Sequence, residues 1–225
     1  MTILRRARQE TQKQERRQAI LDTALQLFAS STYQEMTLEM VAQHVGVARG
    51  TIYLYFKTRE ELFLVAFSDL FQSWLDEVDA ELQRIQQITD EQDRIEEVAR
   101  LIPESLAQRK TMVRISSVVH TILEHNIDLE RARQFKKEML TRAHQTAHLL
   151  EQCLPFLDPD QGLQLLIYTD TLIIGLSQQS EHAPVLQQVF AEPDMQPLLV
   201  NFQPAFSHLF RVLLYGLEQE KLRKT

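Results

Sequence analysis

Apolar residues recur along this chain at helical spacing, and no stretch shows the strict alternation of a half-buried strand. From Gln12 to Ala29, residues Ile20, Ala24, Leu27 and Phe28 fall at i, i+4, i+7 and i+8, one stripe on one helix. Two short helices are expected at Leu38–Val45 and Ala48–Tyr53, with Gly46 able to take the left-handed geometry that ends the first. A long helix follows from Thr58 to about Gln86, with Phe63, Phe67, Leu70, Phe71, Trp74, Val78, Leu82 and Ile85 inward. Thr58-Arg59-Glu60-Glu61 reads as a capping box at its start. Thr89 is expected to cap the next helix, which Pro103 should kink or end. Further helices fit Thr111–Glu124, a stretch ending near Leu154, and one from Asp158-Pro159-Asp160-Gln161 to about Gln179, with Asp158 as cap. Residues 181–203 form an irregular connection with at most short helices, and a last helix runs from about Pro204 to Gln219. The expected fold is all-α, of about nine helices.

The last two long helices are apolar on more than one face, so each must be buried on more than one face. A second copy of the chain supplies that cover if each subunit gives two helices to a four-helix bundle. Leu165, Leu172, Gly175, Leu176, Phe206, Phe210, Leu213 and Leu217 are the expected interface residues. No apolar run approaches the ~20 residues of a membrane span. The first ten residues are polar and basic, unlike a signal peptide. The single Cys153 excludes an intrachain disulfide framework and suits a reducing cytoplasm.

A net charge of −7 looks wrong for a DNA binder until its distribution is considered. Residues 1–57 hold eight Lys/Arg against five Asp/Glu, a net of +3, which leaves −10 for the remainder. A basic head on an acidic body attracts phosphate locally and keeps the body off DNA. Arg5, Arg6 and Arg8 belong either to a solvated tail or to an arm reaching phosphates.

Two short helices joined at a glycine outline a helix-turn-helix. Arg49 can bind guanine through two hydrogen bonds. Gly50 lets the backbone approach closely, and Thr51, Tyr53, Tyr55 and Lys57 suit phosphate contacts that set register. Thr37 offers a hydroxyl at a helix N-terminus. The Tyr53 ring is expected to pack inward with its hydroxyl outward, and Phe56 to belong to the core.

Thr37, Val41-Ala42, Val45-Gly46-Val47, Gly50-Thr51-Ile52-Tyr53, Phe56 and Leu62 resemble the signature of the TetR family of bacterial transcriptional regulators. Two residues depart from it. Ala48 stands where Ser is common and lacks a capping hydroxyl, and Arg59 replaces a common Lys. The resemblance implies a helix-turn-helix domain over residues 1–57 and a ligand-binding and dimerisation domain over 58–225. It also implies a homodimer on a palindromic double-stranded DNA operator, released by a small-molecule effector. The helix beginning at Thr58 would then be the mechanical link. Trp74, Met112, Phe135, Met139 and Tyr168 are candidate pocket residues, because aromatic and Met side chains line adaptable apolar sites. Asp170 either orients a ligand or pairs across the dimer. The alternative keeps the DNA head and gives the C-terminal half a protein partner.

No Gly-rich phosphate loop, nucleophile elbow or complete metal set is present in the sequence, so no enzymatic activity, cofactor or metal site is expected. His144 and His148 lie four apart on one helix without a clear third ligand. A cytoplasmic bacterial protein, on the nucleoid when bound to DNA, and without membrane contact, completes the expectation.

Overall fold

The computed structural model describes residues 2–123 and 126–224, with the side chains of 2–9, 123, 184 and 224 outside that description. The side chains of Arg5, Arg6 and Arg8 therefore lie outside the described residues. The described chain is all-α, with no strand. The helices in order are α1 (Thr2–Ala29), α2 (Leu38–Val45), α3 (Arg49–Ile52), α4 (Arg59–Ile85), α5 (Glu91–Ala107), α6 (Lys110–Val118), α7 (Leu129–Cys153), α8 (Gln161–Ser180), α9 (Pro184–Phe190) and α10 (Phe202–Lys224). That makes ten among the described residues against about nine expected, the short α9 lying in the 181–203 connection where at most short helices were expected. None of them is long and apolar enough to cross a membrane.

Contacts divide the chain into two units. The first comprises Met1–Asp69 and Val118–Ala132, the second Leu70–Ser117 and Arg133–Thr225. In the first, the stripe of α1 meets α2, and α2 meets α3. Ile20, Leu21, Ala24 and Phe28 are buried with Val41, Ala42, Ile52, Phe56 and Leu62. The Phe63 ring stands edge-on to both Phe28 and Tyr33, with centroids 5.3 and 5.4 Å away. The expected capping box is only half formed. The Thr58 hydroxyl accepts the Glu61 N–H at 3.1 Å, but the Glu61 carboxylate accepts from Lys57 N–H at 2.8 Å instead of from Thr58. Its other oxygen takes Arg131 at 2.6 Å, a partner distant in sequence.

In the second unit α10 packs against α5 and α8. Phe202, Phe206 and Phe210 stack at helical spacing, with centroids 5.5 and 5.8 Å apart. Three local expectations shift here. Asp90 rather than Thr89 caps α5, accepting the Asp93 N–H at 3.0 Å. Of the two outcomes expected at Pro103, an end is excluded, since α5 continues through it to Ala107. Asp158 does not cap α8; the helix begins at Gln161 after Asp160, which has a φ of 70°. The Asp158–Gln161 turn is closed by the Gln161 side chain, which accepts the Asp158 N–H at 2.7 Å. After α6 the chain makes a π-helical turn, Val119–Leu123, where a continuous α-helix was expected.

A polar network joins α4 to α7. Arg142 lies 2.8 Å from Asp76 and 2.9 Å from Asp79, and donates to the fully buried Thr146, which donates on to Asp79. At Gly162 the start of α8 lies against α7, and a Cβ there would overlap the Ala147 carbonyl. The obstacle is backbone, so relief requires the helices to separate. Gly162→Ala is expected to cost ~1–3 kcal/mol as a lowered urea midpoint.

Cys153 is fully buried, its thiol 3.3 Å from the Leu82 carbonyl oxygen, and burial pushes its pKa from 9.0 to about 11. Below pH 9.0 the thiol is protonated in both states. Between 9.0 and about 11 only the unfolded thiol ionises, so stability falls as pH rises through that window. Urea unfolding should lose less stability from pH 8 to 10 in Cys153→Ala than in the parent chain, and iodoacetamide should modify Cys153 only on unfolding.

Candidate nucleic-acid interface

The turn between α2 and α3 is built by hydrogen bonds at both ends of α2. The Thr37 hydroxyl accepts the Met40 N–H at 3.1 Å. At the far end Gly46 takes φ 77° and ψ 31°, the left-handed region that favours glycine. The Gly46 N–H donates to the Gln43 carbonyl at 3.2 Å and the Val47 N–H to the Ala42 carbonyl at 3.0 Å. These two bonds form a Schellman closure, which satisfies carbonyls the helix end would leave open.

α3 is shorter than expected, Arg49–Ile52, with residues 53–55 in a turn. Ala48 precedes it in extended geometry with no side-chain cap. Arg49, Gly50, Tyr53 and Lys57 are exposed, while Thr51 and Tyr55 are half-buried. Ile52 and Phe56 are buried and anchor the segment. The guanidinium of Arg17 lies over the Phe56 ring at 5.5 Å.

The Tyr53 ring does not pack inward; it is 41% exposed. Its hydroxyl donates to Glu39 of α2 at 2.7 Å, and Arg49 reaches the same Glu39 oxygen at 2.8 Å. One carboxylate thus draws two side chains of the expected DNA-reading set onto one exposed face. The Tyr53 hydrogen bond, with Arg49 nearby, lowers the Glu39 pKa below its ordinary value, and the same hydrogen bond raises that of the Tyr53 phenol. An exposed ion pair is worth little, so Arg49 can exchange Glu39 for another acceptor at small cost. Sequence reasoning missed Glu39, because its partners lie 10 and 14 residues away across a turn. Tyr55 faces an open groove of about 650 Å³, shared with Lys13 and Arg16 of α1 and with Val45–Val47.

Arg59 does more than keep a positive charge. Its guanidinium lies 4.0 Å from the centre of the Tyr33 ring and donates to the carbonyls of Tyr33 and Met36 at 3.0 and 2.9 Å. The Tyr33 hydroxyl donates to Glu60 at 2.8 Å. Burial first, then Glu60, pushes the Tyr33 phenol far above its ordinary value.

Residues 20–66 match the family described as "Bacterial regulatory proteins, tetR family", and residues 68–221 match "Tetracyclin repressor-like, C-terminal domain". The chain belongs to the TetR family. The fatty acid metabolism regulator protein of Bacillus subtilis (strain 168) is 29% identical over 72 residues, which is 32% of this chain and 37% of that one. The HTH-type transcriptional regulator AcrR of Shigella flexneri is 39% identical over 81 residues, 36% of each chain. The chain thus spans little more than a third of the length of these curated relatives. Thermus thermophilus FadR, a TetR-family repressor solved with lauroyl-CoA, shares the fold with a TM-score of 0.54 at 19% identity, over 88% of this chain and 93% of that one.

Of the residues expected to line an effector pocket of this TetR-family chain, Met112 lines an open cavity of about 370 Å³ together with Leu70 and residues 107–111. Trp74 is buried and its indole N–H donates to Ser105 at 2.8 Å. Met112 and Phe135 are core residues, Met139 and Asp170 are half-buried, and Tyr168 is 41% exposed. A second, mainly apolar cavity of about 420 Å³ lies among α5, α6, α8 and α10, and none of these six lines it. Helical spacing marks a side chain as inward but does not tell filled core from cavity wall.

Of the residues expected at the dimer surface, Leu165, Leu176, Phe206 and Phe210 are buried within the subunit. Leu172, Gly175, Leu213 and Leu217 remain half-buried. The exposed apolar residues of the two helices are Ile167, Tyr168, Leu209, Val212 and Leu222. Among the described residues no group of three or more His, Cys, Asp or Glu could hold a metal; His144 and His148 are exposed, and His148 contacts Gln152.

Arg59→Lys should cost ~1–3 kcal/mol of stability, since an ammonium cannot stack on Tyr33 and also donate to two carbonyls. Ala48→Ser should add ~0.5–2 kcal/mol by capping α3. Urea unfolding followed by circular dichroism reads both.

Proposed function

We propose that this chain is a homodimeric transcriptional repressor that binds a palindromic operator and is released from it by a small-molecule effector. Residues 1–57 form the DNA-binding domain and residues 58–225 the ligand-binding and dimerisation domain. The observation that carries the reading is the exposed Arg49–Glu39–Tyr53 cluster beside the capped start of α2. On DNA, Arg49 leaves Glu39 for a base edge, preferably guanine. Tyr53, Tyr55, Lys57 and Thr51 take phosphates, Gly50 lets the backbone come close, and the first turn of α2 at Thr37 offers N–H groups to another phosphate.

Two such heads in a two-fold dimer read half-sites roughly 34–36 Å apart. The apolar residues that α8 and α10 leave exposed support a second copy as their cover. A Cβ on Gly175 or Gly216 would meet nothing within 4 Å in the subunit, leaving room for a partner helix. The effector acts by population shift, binding better to a state whose heads do not fit the operator. The B. subtilis, S. flexneri and T. thermophilus relatives, by their names, support regulation and, for FadR, an organic ligand. Such a protein works in the cytoplasm, on the nucleoid when bound, and needs no catalytic group.

Fluorescence anisotropy with the DNA upstream of its own gene tests the reading. Binding should weaken steeply with salt. Arg49→Ala should weaken it by about tenfold or more and relax preference at one base pair. Lys57→Ala should weaken all sequences alike and reduce the salt slope by about one. Wild-type protein without salt-sensitive binding would refute the reading.

A further inference from the structure

Glu39 is an odd residue for the place it occupies. From Met36 to Arg59 the sequence holds one acid, Glu39, against Arg49, Lys57 and Arg59. It stands in the first turn of α2, and its carboxylate lies on the face that carries Arg49 and Tyr53. Its side chain is 39% exposed and that of Arg49 75%, so both can be reached from solvent. A carboxylate there repels the phosphates of any duplex the face approaches, whatever the sequence.

Contact with DNA changes the state of this carboxylate. Off DNA, one oxygen accepts from Tyr53 at 2.7 Å and from Arg49 at 2.8 Å. A phenol has a single proton to donate, so Tyr53 gives up Glu39 when it turns to a phosphate. Arg49 gives it up for guanine. The carboxylate then faces the duplex without either donor, where much of its water is excluded. A charge in that position needs a new donor or costs affinity.

The major groove limits where that donor comes from. Guanine presents two acceptors there, thymine an acceptor and a methyl group, and adenine an amino group beside an acceptor nitrogen. Cytosine alone presents an amino donor with no acceptor beside it on the same base. The heads of Arg49 and Glu39 touch in the free protein, and successive bases on a strand are about 3.4 Å apart. When Arg49 takes a guanine, the carboxylate therefore stands over the adjoining base pair.

We propose that Glu39 is a specificity-determining residue, which accepts a hydrogen bond from the amino group of a cytosine one step from the guanine that Arg49 reads. On duplexes without that cytosine its charge stays unmatched and weakens binding, which is discrimination by penalty rather than by attraction. The assignment rests on the operator-binding reading and adds a second base to it.

Selection of bound duplexes from a randomised pool, followed by sequencing, tests this with the full chain and without a known operator. Wild-type protein should enrich a palindrome whose half-site holds a guanine and, one step away, a cytosine. Arg49→Ala should lose the guanine preference. Glu39→Ala should keep the guanine and lose the cytosine. Glu39→Gln should keep the guanine and shift its neighbour to adenine, because an amide both accepts from the adenine amino group and donates to the ring nitrogen beside it. In fluorescence anisotropy, thymine in place of that cytosine should weaken wild-type binding about tenfold and Glu39→Ala binding by less than about twofold. Glu39→Ala should also bind the unselected pool about fivefold more tightly at low salt, a gain that high salt removes.

An acid in the first turn of a helix also stabilises that helix. If that were the whole role of Glu39, both variants would lower the Tm and leave every base preference as it is, and the proposal would be overturned. Loss of the guanine preference alone in Glu39→Ala, or weaker binding of the unselected pool, would overturn it as well. Failure of wild-type protein to enrich any palindrome sinks the regulator reading itself. Unchanged preferences in the Glu39 variants, on a site that wild-type and Arg49→Ala distinguish, sink only the role of Glu39.

Discussion

The left-handed turn at Gly46 is the constraint on which the first unit depends. It ends α2 through two backbone hydrogen bonds and sets where α3 begins. Because α3 is only four residues long, it has little stability of its own. Its position comes from that turn and from the burial of Ile52 and Phe56. With the turn in place, Arg49 and Tyr53 come within reach of one Glu39 oxygen. Arg59 then holds the loop before α2 from the other side, by its ring contact with Tyr33 and two carbonyl bonds.

The second unit follows a different logic. Its long helices are joined by specific contacts rather than by one turn. α8 meets α7 where only glycine fits, and the Arg142–Asp79–Thr146 network ties α7 to α4. Polar groups in that network satisfy each other, around the buried Thr146.

Much of the first unit was legible from short-range chemistry. Thr37, Gly46 and the α1 stripe carry local signals, and all three act as those signals imply. The missing cap at Ala48 was equally plain. Glu39 was not, because nothing in its own neighbourhood marks a residue whose partners come from the next helix. Caps shifted where two capping residues stand side by side, as Thr89 and Asp90 do, since propensity alone does not choose between them.

In the second unit the sequence by itself determined that the chain is helical, where most helices run and which faces are apolar. Those are properties of periodicity and of single residues at helix ends. Only the tertiary structure decided which apolar residues are buried within the subunit, as Leu165, Leu176, Phe206 and Phe210 are, and which remain exposed. It also decided that the 420 Å³ cavity is lined from α5, α6, α8 and α10 and not from α4. Periodicity reports the direction in which a side chain points. Whether it meets a neighbour, a partner subunit or an empty space depends on residues brought together from four separate helices.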